Sequence, residues 1–217
     1  LGNTTNMSVP TQVGSLTDWK QCSVKRANVQ AVKTDGTLWT WGANYSGSCG
    51  LGNTTKYSSP VKVGSLTDWA SAWVGRDESF VVKTDGTLWA WGSNAHGQLG
   101  LGDTAARSSP VQVGSLTNWA SVATYFSTIA VKTDGTIWSW GKNNQGQLGL
   151  GDTTNKSSPT QVGSLTNWGT GGEGGALGSL YFASRAVKTD GTLWAWGQGN
   201  ANNGLNNTTA YSSPVQV

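Results

Sequence analysis

The chain has 217 residues, of which 12% are charged, with a formal net charge of +3, 31 glycines and 13 tryptophans. Abundant aromatics and scarce charge argue against disorder, and no stretch approaches the roughly 18 apolar residues of a membrane-spanning helix. No Lys/Arg run is long enough to track a phosphate backbone, which argues against a nucleic-acid partner.

The chain opens on LGNTTNMSVPTQVGSLTDW, the second half of a pattern that returns later. VKTDGTLWTWG at Val32–Gly42 then recurs, with small changes, at Val82–Gly92, Val131–Gly141 and Val187–Gly197. The spacings between Asp35, Asp85, Asp134 and Asp190 are 50, 49 and 56 residues. A repeat of this length specifies an array in which no unit buries its own core. The units read as 1–18 (a trailing strand), 19–68, 69–118, 119–167 and 168–217. The two cysteines, Cys22 and Cys49, align with apolar residues in the sister copies and are expected to be buried thiols; spacing alone leaves a disulfide open.

Within the unit 69–118, Trp69–Val74 predicts a first strand and Ser79–Lys83 a second. Asp85-Gly86 predicts a type I′ hairpin turn, with positive φ at both residues. Leu88–Gly92 alternates and places Trp89 and Trp91 on one face. Ser109–Val113 reads as a fourth strand, with Pro110 at an edge. Four short antiparallel strands per unit predict an all-β chain of β-propeller blades, with a parallel β-helix as runner-up. Twelve of the 13 tryptophans fall at repeated positions and are expected to pack between blades.

The stretch DGTLWAWGSNAHGQLGLGDTAARSSPVQV (Asp85–Val113) resembles the repeat of the regulator of chromosome condensation family. The resemblance covers nearly the whole chain and implies a closed propeller, usually of seven blades. Its members include an exchange factor for a small GTPase, a plant ultraviolet photoreceptor, a secreted β-lactamase inhibitor and many bacterial and phage proteins, so fold alone selects no function. Here five Pro-x-x-Val segments (from Pro10, Pro60, Pro110, Pro159 and Pro214) accompany four Asp-Gly hairpins. The chain is therefore expected to hold about four blades of a longer, seven-bladed propeller.

Comparison of the copies separates scaffold from function. With strands lettered A to D in each blade, the A–B and C–D connections vary, whereas the B–C turn (KTDGT) and the D–A connection (VGSLT) hardly change. An up-and-down blade puts A–B and C–D on one face, which becomes the predicted binding face. Its candidate residues are Lys25, Arg26, Tyr45, Trp73, Arg76, Asp77, Glu78, His96, Tyr125, Phe126, Glu173, Tyr181, Phe182 and Arg185. Aromatics with arginine are the usual composition of interface hot spots; packing of the same rings inside the blades is the competing reading. The glycine-rich insertion Gly169–Gly178 reads as a flexible loop.

No HExxH, GxSxG or metal-spaced Cys/His cluster occurs, so no catalytic residue, metal or cofactor is expected. Asn53, Asp103, Asp152 and Asn207 read as loop caps rather than calcium ligands. The sequence points to a non-catalytic binding or structural module that recognises a protein or a surface glycan. Its polar, charge-poor surface suits an extracellular or virion setting, such as a phage tail or capsid decoration. An exchange factor for a small GTPase, or a propeller enzyme, is the alternative.

Overall fold

The computed structural model describes residues 8–171, 176–179, 181–199 and 204–217. The first blade comprises β1 (Trp19–Lys25), β2 (Asn28–Lys33), β3 (Leu38–Gly42) and β4 (Tyr57–Lys62). The second comprises β5 (Trp69–Val74), β6 (Glu78–Lys83), β7 (Leu88–Gly92) and β8 (Arg107–Gln112). The third has β9 (Trp119–Thr124), β10 (Ser127–Lys132), β11 (Ile137–Gly141) and β12 (Lys156–Gln161). The fourth has β13 (Leu177–Ser179), β14 (Ala183–Val187), β15 (Leu193–Gly197) and β16 (Tyr211–Gln216). Each sheet is an antiparallel meander in chain order, and a 3-10 turn at Tyr45–Gly47 interrupts the first C–D connection.

Strands A of successive blades contact one another (β1 with β5, β5 with β9, β9 with β13), which places them nearest the propeller axis. Strands D lie outside, where Pro110 within β8 costs no ladder bond to a further strand.

The core lies between the blades. Val32, Leu38 and Val63 of blade 1 meet Trp69, Ala72, Val81 and Trp91 of blade 2. The same positions recur between blades 2 and 3, where Trp140 is fully buried, and between blades 3 and 4, where Trp196 is. Trp39, Trp89, Trp138 and Trp194 are half-buried, and their rings contact Trp19, Trp69, Trp119 and Trp168 at 5.9–6.0 Å.

The hairpin turn differs from the expected type I′. Gly36 N–H donates to Lys33 O at 3.0 Å, and only the glycine of each Asp-Gly pair has positive φ (75–84°). This is a three-residue loop closed by a glycine bulge. The aspartate is held by its neighbour instead: Thr37 donates to Asp35 Oδ1 from N (2.9 Å) and Oγ1 (2.7 Å), and Trp39 Nε1 donates to Thr37 Oγ1 at 2.9 Å. Blades 2, 3 and 4 repeat this triad. The motif Asp-Gly-Thr-x-Trp is therefore one hydrogen-bonded unit, and these bonds hold the aspartates below the usual carboxylate range.

Lys33 and Lys83 do not pair with the turn aspartates. Each reaches the acid before its blade's first tryptophan, Asp18 at 3.3 Å and Asp68 at 3.2 Å, and lies over two indoles. Asn118 and Asn167 replace that acid in blades 3 and 4, where Lys132 and Lys188 keep the two indoles. The loop caps form as expected: Asn53, Asp103, Asp152 and Asn207 each accept a backbone N–H two residues on.

Both cysteines are free; Cys49 is buried but Cys22 is exposed, against expectation. Ala72 and Val122, its counterparts, are covered by the preceding blade, and no described residue covers Cys22 in that way.

Candidate functional site

The A–B and C–D connections meet, as the meander requires, on one face. Arg26, at φ 55°, heads the first A–B turn, and its Nη1 donates to both carboxylate oxygens of Asp77 at 2.9 and 3.0 Å. That pair bridges blades 1 and 2. The guanidinium also lies over the Tyr45 ring at 5.2 Å. Arg76 sits 3.4 Å from Asp77 and over the Phe126 ring at 5.0 Å, which extends the contact to blade 3.

The aromatic rings continue it to blade 4. Tyr125 contacts Phe126 (5.0 Å) and Tyr181 (5.8 Å); Phe126 contacts Tyr181 (4.8 Å); Tyr181 contacts Phe182 (4.2 Å). His96 meets Phe126 edge-on at 5.6 Å. Lys25 donates across two blades to Thr124 O at 2.8 Å and lies over Tyr125. The sheets thus bring Lys25, Arg26, Tyr45, Arg76, Asp77, His96, Tyr125, Phe126, Tyr181 and Phe182 into one connected surface. Tyr181 is 42% and Tyr45 45% exposed.

Lys142 belongs to this surface and was not singled out from the sequence. Its ammonium lies over Phe126, Tyr181 and Phe182 at 5.5, 4.8 and 5.0 Å. The signal was available: Ala43, Ser93 and Gln198 occupy the same place in the other copies. Four cations (Lys25, Arg26, Arg76 and Lys142) share the face with Asp77, so among the described residues it carries excess positive charge.

Three expected members do not belong to the surface. Trp73 is buried between blades 2 and 3, packed with Phe80 and Trp140, because an inner strand has a blade on either side. Arg185 lies in the middle of β14, at the position of Phe80 and Ile129, away from the loops. Glu78 is buried, where it accepts from Gln98 Nε2 (3.0 Å) and Asp77 N–H (3.1 Å). Gln98 in turn accepts from His96 N–H at 2.8 Å, so Glu78 positions two loops of the face from beneath. Glu173 and part of the Gly169–Gly178 insertion (residues 172–175) lie outside the described residues.

Burial raises the Glu78 carboxyl from 4.5 to about 7. The folded chain then binds more protons than the unfolded one between those values, so this group lowers stability as pH rises through that window. His96, lowered by burial and then by Lys142, acts in the opposite direction. Subtracting Glu78→Gln from wild type therefore isolates Glu78. The difference is expected to change by on the order of 2 kcal/mol between about pH 5 and pH 8. Urea unfolding across that range checks it; parallel curves would mean that Glu78 does not titrate there.

The Regulator of chromosome condensation (RCC1) repeat matches residues 35–82, 85–124 and 134–169. No curated protein matches the chain. Among solved structures, Saccharomyces cerevisiae Prp20p, studied with its binding to Gsp1p and histones, superposes with TM-score 0.79 at 19% identity. That match covers 96% of this chain and 52% of Prp20p. Prp20, as yeast RCC1 with Kap60 bound, gives 0.79 at 20% identity over 96% and 50%. Human WBSCR16 gives 0.75 at 21% identity over 92% and 52%. The chain spans about half the length of these solved propellers. With more than half of its residues matched by the repeat, and each match beginning at or beside an Asp-Gly turn, the chain belongs to the regulator of chromosome condensation repeat family.

Proposed function

We propose that the chain is a non-catalytic protein-binding module that recognises an acidic protein surface through the A–B and C–D loops. The observation that carries this reading is the continuous aromatic and cationic surface running from Tyr45 and Arg26 to Lys142 and Tyr181. Tyrosine and arginine supply large contact area at low entropic cost, and excess positive charge favours an acidic partner. The Arg26–Asp77 pair, in which Nη1 is shared between both carboxylate oxygens, and the ring contacts pre-organise the loops before any partner arrives. Prp20p, which shares the fold, binds proteins.

The test is capture on an array of acidic, neutral and basic peptides. Wild type is expected to select acidic peptides, more weakly at higher salt. Tyr181→Ala and Lys142→Ala should each weaken capture about tenfold or more while changing stability by no more than about 1 kcal/mol. Capture that ignores peptide charge, or that survives both substitutions, contradicts the proposal.

A further inference from the structure

The segment VGSLTNW occurs at 113–119 and again at 162–168, and it folds in two ways. In the first, Leu116 packs against the core between blades 2 and 3, and its carbonyl accepts from Trp119 Nε1 at 3.1 Å. In the second, Leu165 is 48% exposed, and the Nε1 of buried Trp168 has no partner. The backbone accounts for the difference. Asn118 is left-handed at φ 66°, whereas Asn167 is not. A Cβ on Gly86 would meet Asn118 N at 2.7 Å, but one on Gly135 would meet Thr166 O at 2.0 Å. The peptide plane between threonine and asparagine therefore faces opposite ways in the two loops. VGSLTDW at 63–69 takes the second arrangement, with Gly36 facing Thr67 O. There Leu66 is 44% exposed, and the Nε1 of buried Trp69 again lacks a partner.

With the leucine turned out, both of these junctions hold an open groove. Between blades 1 and 2 it measures about 320 Å³, and Val63, Leu66, Trp69, Trp89, Ser109 and Pro110 form its walls. Between blades 3 and 4 it measures about 330 Å³, with Leu165, Trp168, Trp194, Ser213 and Pro214 in the same places. The first groove lies wholly inside the array, since blade 2 also packs against blade 3. Among the described residues, no charged side chain lines either groove. A buried N–H without an acceptor costs free energy, which a ligand carrying that acceptor recovers.

We propose that each groove binds a leucine-like residue of an extended, uncharged peptide segment of a partner protein. The aliphatic side chain enters between the tryptophan rings and the proline, and the main-chain carbonyl accepts from Trp69 Nε1 or Trp168 Nε1. Leu116 displays the bound form, because its own side chain and carbonyl take these two places between blades 2 and 3. The apolar walls select a neutral residue. None of the cations of the A–B and C–D loops lines the grooves, so this site is separate from the aromatic and cationic surface.

The test titrates the isotope-labelled chain with N-acetyl-leucine N-methylamide and follows the tryptophan indole N–H resonances. The Trp69 and Trp168 signals should move and saturate, half-way at about 1 mM, the affinity of a small fragment. The Trp119 signal should stay, because Leu116 already fills its junction. N-acetylglycine N-methylamide, which lacks the side chain, should move none of them. Ser109→Leu and Ser213→Leu alter exposed serines in the groove walls and should leave the fold intact. Ser109→Leu should weaken the Trp69 response about tenfold or more and spare Trp168, and Ser213→Leu should do the reverse. No saturable shift overturns the proposal, as do equal shifts with the glycine probe or a Trp69 response that survives Ser109→Leu. So do methyl-to-indole contacts placing Leu66 and Leu165 in the grooves as Leu116 is, which would show that the chain fills both sites itself.

Discussion

Trp140→Ala is expected to lower stability by about 3–5 kcal/mol, the range for deleting a fully buried large aromatic. Its ring closes the interface between blades 2 and 3, against Trp119 at 5.8 Å and Phe80 at 6.1 Å. Its Nε1 donates to Gln98 O at 2.8 Å. That carbonyl keeps a second donor, Thr128 Oγ1 at 2.8 Å, so most of the loss comes from the cavity rather than from an orphaned acceptor. The array supplies a control at the same repeat position. Trp41 is half-buried in blade 1, and Trp41→Ala in the 217-residue chain should cost only about 1 kcal/mol. Chemical denaturation of the two variants checks the contrast. Equal losses would contradict a core that lies between blades.

Gly135→Ala should be nearly as damaging, for a different reason. Gly135 has φ 77°, and a Cβ there would lie 2.0 Å from Thr166 O in the loop that opens blade 4. No rotamer relieves a clash between a Cβ and a backbone oxygen, so the turn or the next blade must move. The left-handed conformation adds about 1–2 kcal/mol, and with the displaced contact the total should exceed about 3 kcal/mol. Gly191→Ala separates the two contributions. Gly191 has φ 84° with nothing near its missing Cβ, so only the conformational cost of about 1–2 kcal/mol remains. If both substitutions cost the same, the close approach of Gly135 to the next blade carries no weight. These turns make the fixed face fixed: Trp168 N–H donates to Gly135 O at 3.1 Å, as Trp69 does to Gly36 and Trp119 to Gly86, so turn and loop must match at each junction between the described blades.

The architecture was legible because each unit states its strands four times. Alternation in Leu88–Gly92 gave the shared face of Trp89 and Trp91, and the meander then dictated which loops meet. The turn type was misread because Asp-Gly favours type I′ in isolation, whereas here Thr87 holds the aspartate and only Gly86 turns left-handed. The connected aromatic and cationic surface was legible at Arg26, Asp77, Tyr125 and Tyr181, where the copies differ. It failed at Trp73 and Glu78, which also differ between copies. β5 buries Ala72, Trp73 and Val74 in succession, because an inner strand is covered on both sides. Period-two alternation carries no information about such a strand. Glu78 escaped because a carboxylate next to Asp77 reads as surface until the Gln98 amide that accommodates it is placed beneath the loop. Cys22 was misjudged for a related reason: its counterparts are apolar because a blade covers them, and sequence alignment between copies cannot show which blade stands at the end of the described array.

The proposed recognition surface is the face where the copies disagree. Hydrogen–deuterium exchange of the chain with and without a captured acidic peptide tests it most directly. Protection should appear around Arg26, Arg76, Tyr125 and Lys142, and leave the turns at 34–37, 84–87 and 133–136 unchanged. Protection confined to those turns, with no change at the aromatic and cationic surface, would contradict the account.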